Sequence, residues 1–111
     1  MQIRELNLKE LYTIYDLVSQ LYKEFEDLIY DMRDMNYRMI GIMEKDELIS
    51  YAGVSVQTTL KDKRHLRVFD LVTDKGYDSL KYDKMMNDYL EDYAKMGMCR
   101  EIIYNDLSNH K

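Results

Sequence analysis

Ten consecutive residues concentrate the reactive side chains of this sequence: Asp74-Lys75-Gly76-Tyr77-Asp78-Ser79-Leu80-Lys81-Tyr82-Asp83. They stand between an apolar strand pattern and an amphipathic helix pattern that ends at Gly97. A strand, a tight polar loop and a helix in that order present free N–H groups and a partial positive charge, the layout of a phosphate site. The loop residues work against that layout. They include three acids and one glycine, where a phosphate needs small residues that let its oxygens approach the backbone. The acids have a use without any ligand. Asp78 or Ser79 suits the helix N-cap and Asp83 suits the helix dipole, so a carboxylate satisfies the N–H groups a phosphate would otherwise take.

The other reactive groups are few. Asp70 is the one acid in the apolar run Val68-Phe69-Asp70-Leu71-Val72. Apolar surroundings raise a carboxyl pKa toward values that suit proton transfer. The competing reading is a sheet-end carboxylate paired with Arg67 or Arg38. His65 begins a strand beside Arg64 and Arg67, and His110 lies in the polar tail; without partners nearby in sequence, both read as solvent-exposed. Cys99, the single cysteine, reads as a buried structural thiol where a strand enters the core. One Cys and two His make no standard zinc set, and Asp74, Asp78 and Asp83 lack the ligand alternation of a calcium loop, so no metal is expected. There is no Walker loop, nucleophile elbow or dinucleotide fingerprint.

These groups need elements to position them. Gln2–Leu6 alternates as a short strand. Asn7 caps a following helix with Glu10 as its capping-box partner. Leu8, Leu11, Tyr12, Tyr15, Val18, Tyr22 and Phe25 keep helical spacing, and a second helical segment runs through Leu28, Ile29, Met32 and Met35, with a break near Glu26. Tyr37–Met43 and Leu48–Thr59 form a hairpin around the polar turn Glu44–Glu47, with Ala52, Val54 and Val56 on one face and a bulge marked by Gly53. His65–Val72 suits a central strand covered on both faces. Tyr82, Met85, Met86, Tyr89, Leu90 and Tyr93 form the stripe of a long helix, closed by Gly97 in a left-handed conformation. Glu101–Tyr104 is the last strand, and the tail from Asn105 frays.

The chain has 111 residues, one domain's worth, and a net charge of −5 that disfavours nucleic acid as a partner. Hydrophobic residues make up 46% and charged residues 33%, a balance that argues against disorder. Arg4, Glu5, Lys9 and Glu10 interrupt any signal-peptide core, and no stretch approaches a membrane span. The lone cysteine fits a reducing cytoplasm.

Read together, the elements resemble the GNAT superfamily of N-acetyltransferases over nearly the whole chain. Residues 35–56 resemble the family's hairpin, and residues 67–105 its cofactor segment of strand, loop, helix and strand. Asp70-Leu71-Val72 matches the strand, and Met85-Met86 with Glu91–Gly97 matches the helix. The resemblance implies a single α/β (α+β) domain over 1–111, a mixed sheet with helices packed on it in the order β-α-α-β-β-β-α-β. It implies acetyl-CoA as cofactor and N-acyl transfer to a small-molecule or peptide amine. It places Asp70 as the group that takes a proton from the amine. The backbone of Leu71, Val72 and Thr73 aligns the cofactor, with Ser79, Lys81, Tyr82 and Lys84 near its diphosphate. Asp78 stands where the family carries an arginine, and Lys81 and Asp83 stand where it carries glycines. A unit-charge contact at ~4 Å is worth ~1 kcal/mol in water and ~4 kcal/mol in a partly protected site, so coenzyme A affinity is expected to fall by orders of magnitude. The alternative is a non-catalytic binding or assembly module on the same fold. The sequence stops at Lys111, before the helix and two strands with which the family continues. Ile102-Ile103-Tyr104 is then an exposed edge fit to pair with a second copy in a homodimer, and Tyr104 reads as a packing residue.

Overall fold

The computed structural model describes residues 1–10 and 36–105. The two helical patterns over 11–35 and His110 lie outside the described residues, as does the tail beyond Asn105. Strands β1 (Gln2–Leu6), β2 (Arg38–Glu44), β3 (Glu47–Thr59), β4 (Lys63–Thr73) and β5 (Glu101–Tyr104) form one mixed sheet in the order β1-β2-β3-β4-β5. The first three pairings are antiparallel. β4 and β5 are parallel, and a parallel pair needs a crossover; helix α1 (Ser79–Met96) is that crossover. The β2–β3 hairpin turns on Lys45-Asp46, whose φ values of 50° and 65° supply the twist of a two-residue connection.

Each face of the sheet carries a core. On one, Ile40, Ile42, Ala52, Val54, Leu66 and Val68 pack against Tyr82, Met86, Leu90 and Ala94 of α1. Those four helix residues recur every four positions, the spacing that puts one stripe on the sheet. On the other face Leu6, Tyr37, Met39, Met43, Leu48 and Tyr51 cluster with Phe69 and Val72. β4 thus supplies both faces, as its apolar run requires. At the start of the described chain, Asn7 Oδ1 accepts from the Lys9 N–H (2.9 Å) and the Asn7 N–H donates to Glu10 Oε1 (3.2 Å), the reciprocal pair of a capping box.

Two expectations are corrected, and a third, the bulge marked by Gly53, is met with a detail added. Gly97 has φ −83°; the left-handed residue is Met98, at φ 58°. The N–H of Cys99 bonds to Ala94 C=O (2.9 Å) and that of Met98 to Lys95 C=O (3.1 Å), the double bond that closes a helix, so the turn falls one residue later. The bulge beside Gly53 has its extra residue on the partner strand: Gly53 pairs with Asp70 and Val54 with Val68, leaving Phe69 unpaired. His65 is buried, not exposed. Its Nδ1 lies 2.9 Å from Lys63 C=O, and among the described residues Nε2 has no partner. The bland sequence around it hid a site inside the sheet, between Gln57 and Glu101 on the neighbouring strands.

Candidate functional site

The Phe69 bulge aims Asp70 onto the sheet face opposite α1, where its side chain is 6% exposed. It pairs with neither Arg67 nor Arg38. Arg67 bonds Asn105 (3.0 Å) and approaches Asp62 (4.0 Å), and Arg38 approaches Glu5 (3.7 Å). The partner is Tyr37, whose hydroxyl donates to Asp70 Oδ2 at 2.6 Å. The Tyr51 hydroxyl lies 2.9 Å from that of Tyr37. Burial pushes both phenols up, Tyr37 well above its usual 10.0, so both stay protonated and available as donors. Gly53 makes room for the arrangement. A Cβ there would lie 1.6 Å from the Tyr37 hydroxyl oxygen, so the glycine is needed for space, not for a positive φ. Sequence reasoning missed Tyr37 and Tyr51 and read Gly53 only as a bulge marker; the signal was the pair of tyrosines on facing hairpin arms with a glycine two residues beyond the second.

In the loop, three amides already hold carboxylates. Gly76 N–H donates to Asp74 Oδ1 (2.9 Å), and the N–H groups of Leu80 (3.1 Å) and Lys81 (3.4 Å) donate to Asp78 Oδ1. Asp78 is the N-cap of α1. Asp83 lies beyond the first turn, where Thr73 Oγ1 donates to it at 2.9 Å, tying the end of β4 to the helix. Ser79 is exposed as the first residue of α1. The Lys81 ammonium sits 5.3 Å from the Tyr82 ring centre, and Lys84 pairs with Asp88 at 3.0 Å. Tyr82 is buried, with its ring edge-on to Tyr77.

Between Asp70 and the loop, the backbone of β4 is open on one side. The parallel ladder with β5 ends at Val68 opposite Tyr104, and Asn105 N–H bonds to Val68 C=O at 2.9 Å. Among the described residues, 69–73 have no strand partner there, and Leu71, Val72 and Thr73 are half-buried. Asp70, the open segment 71–73 and the first turn of α1 thus follow one another along the chain. Tyr104 stands at the end of β5 and donates to Asn87 Oδ1 (2.8 Å) on α1. Cys99 is half-buried in the α1–β5 connection, not in the strand, and burial pushes its thiol up. Among the described residues no three His, Cys, Asp or Glu groups gather as a metal set, and no helix is long and apolar enough to cross a membrane. A cleft of about 320 Å³ lined by Asn36, Arg38, Val56, Arg64 and Tyr93 contains none of the predicted site residues.

No family model and no curated protein matches the chain. Solved structures do. A ribosomal-protein-alanine N-acetyltransferase from Brucella melitensis biovar Abortus 2308 superposes with a TM-score of 0.81 at 14% identity, over 95% of this chain and 79% of that one. A GNAT family acetyltransferase from Staphylococcus aureus subsp. aureus USA300_TCH1516 gives 0.74 at 16%, over 95% and 85%. The aminoglycoside N-acetyltransferase AAC(6′)-Iy, in complex with CoA, gives 0.77 at 14%, over 94% and 75%. The chain has the fold of the GNAT acetyltransferases, as the order of its elements predicts.

Proposed function

We propose that this chain is a GNAT-type N-acyltransferase that takes an acyl group from a coenzyme A thioester and passes it to a primary amine. The observation that carries the reading is the buried Asp70 carboxylate at the head of a strand segment that no described residue pairs on one side, on a fold whose solved examples include an N-acetyltransferase of ribosomal-protein alanine and one of aminoglycosides. Asp70 accepts a proton from the amine. Residues 71–73 are paired with β3 on one side; on the other, backbone groups that no described residue pairs receive an extended, amide-bearing arm as a further strand would. The thioester supplies an activated acyl group. Ser79, Lys81, Tyr82 and Lys84 border its diphosphate. The fit differs between the two ends. The open strand suits the arm, whereas the amides suited to a diphosphate are held by Asp74 and Asp78. A diphosphate seats only when those carboxylates turn out, which makes the cofactor weakly held.

The second reading is a non-catalytic binding or assembly module, and the same two carboxylates favour it. Thermal denaturation with acetyl-CoA separates the two. A ligand at 100 times its dissociation constant stabilises a fold by about 2.7 kcal/mol, so an acyltransferase shows an upward shift at millimolar cofactor. No shift there ends the enzyme reading. In either case the β5 edge is the surface for self-association.

A further inference from the structure

We infer that Tyr51 and Tyr37 form a one-way hydrogen-bond chain that positions Asp70 and leaves Oδ1 as the oxygen that receives the proton of an attacking amine. The use of that proton rests on the acyl-transfer reading; the chain itself does not. A phenol has one hydrogen to give. That of Tyr37 goes to Asp70 Oδ2 at 2.6 Å. The hydrogen in the 2.9 Å contact between the phenols therefore belongs to Tyr51, and both donors point the same way: Tyr51 to Tyr37 to Asp70. Linked donors polarise one another, so the second phenol strengthens the first bond.

The chain is built into the fold. Tyr37 precedes β2, Tyr51 lies on β3 and Asp70 on β4, so three successive segments of the sheet contribute one member each. Gly53, paired directly with Asp70, leaves the space the Tyr37 phenol fills. Phe69 flanks the Tyr37 ring, with centroids 6.1 Å apart. With Oδ2 engaged, no described residue bonds Oδ1. As an amine nitrogen bonds to the acyl carbon, the carbon–sulfur bond of the thioester breaks and its electron pair leaves with the thiolate, which solvent protonates. The N–H bond of the amine breaks and an O–H bond forms at Oδ1. Solvent then takes the proton and Asp70 returns to its starting state. Tyr37 and Tyr51 touch neither reactant; they are positioning residues.

Proton NMR on the full chain tests the arrangement without any cofactor. A buried hydroxyl in so short a bond to a carboxylate gives a resonance downfield of the amide envelope. The inference expects that resonance in the wild type, its loss in Tyr37→Phe, and an upfield move in Tyr51→Phe. If Tyr37→Phe does not fold, Tyr51→Phe alone decides, because it leaves the Tyr37–Asp70 bond in place. Absence of the resonance from the wild type, its survival in Tyr37→Phe, or no movement in Tyr51→Phe overturns the chain. Thiol release from acetyl-CoA with n-butylamine as acceptor then reads the positioning role. Both variants are expected to lower kcat by about 10- to 100-fold with KM for acetyl-CoA unchanged. Equal kcat in variant and wild type overturns that role. A wild type with no turnover on any amine refutes acyl transfer instead, and the resonance still decides the chain.

Discussion

Asp70 and Asp78 are both carboxylates, and their surroundings assign them opposite tasks. Asp70 is buried and takes the Tyr37 hydroxyl on one oxygen, with no described residue on the other. Asp78 is exposed and closes a helix. Gly53 decides whether the first arrangement exists. Gly53→Ala forces a methyl into the Tyr37 phenol, and overpacking of this kind costs about 1–3 kcal/mol, read as a lower urea midpoint at unchanged slope. The two phenols also set an alkaline limit. Their folded pKa values lie above the unfolded value of 10.0, so the native chain keeps two protons that the unfolded chain gives up. Their stabilisation is complete below about pH 10 and declines as pH rises past it, at up to about 2.7 kcal/mol per pH unit for two groups. Urea titrations across that range should show a flatter alkaline decline in the Tyr37→Phe/Tyr51→Phe double variant than in the wild type. Asp70 was legible as a candidate because it is the one acid in an apolar strand. Its partner was not, because Tyr37 lies 33 residues away and sequence neighbours suggested arginines instead.

Among the elements, α1 was the most legible: its stripe and its Asp78 cap follow directly from 3.6-residue spacing and side-chain chemistry. Its end was not. Gly97 drew the left-handed assignment because glycine favours it, yet the closing hydrogen bonds place Met98 in that conformation. The Met98 side chain is 82% exposed and makes little contact that would offset the strain. Met98→Gly should therefore raise stability by about 0.4–1 kcal/mol, seen as a higher melting temperature. The strands were legible to within a residue or two from their alternation. Two things escaped: the bulge falls on β4 although the glycine that signals it is on β3, and His65 is buried although charged neighbours suggested solvent. Local pattern records which residues tolerate a strand; it does not record which strand takes up an irregularity.

For the described part of the molecule, the sheet order and the parallel β4–β5 pair produce the feature that matters: β4 runs on past β5, and residues 69–73, ahead of the helix cap, have no partner on one side among the described residues. Among the described residues β5, with Ile102 and Ile103 half-buried, is an edge of the sheet, and the proposed self-association pairs it with a second copy. Gel filtration across a concentration series is expected to show a dimer, and a monomer at every concentration counts against that pairing. The reading of function turns on whether the two loop carboxylates yield to a diphosphate. Asp78→Ser keeps a capping oxygen, so it leaves stability nearly unchanged while removing a charge worth roughly 1–4 kcal/mol against a phosphate. The decisive measurement is calorimetric titration of acetyl-CoA into the wild type and Asp78→Ser. The account predicts weak binding that tightens about tenfold or more in the variant. Tight binding by the wild type, unaltered by the substitution, contradicts it.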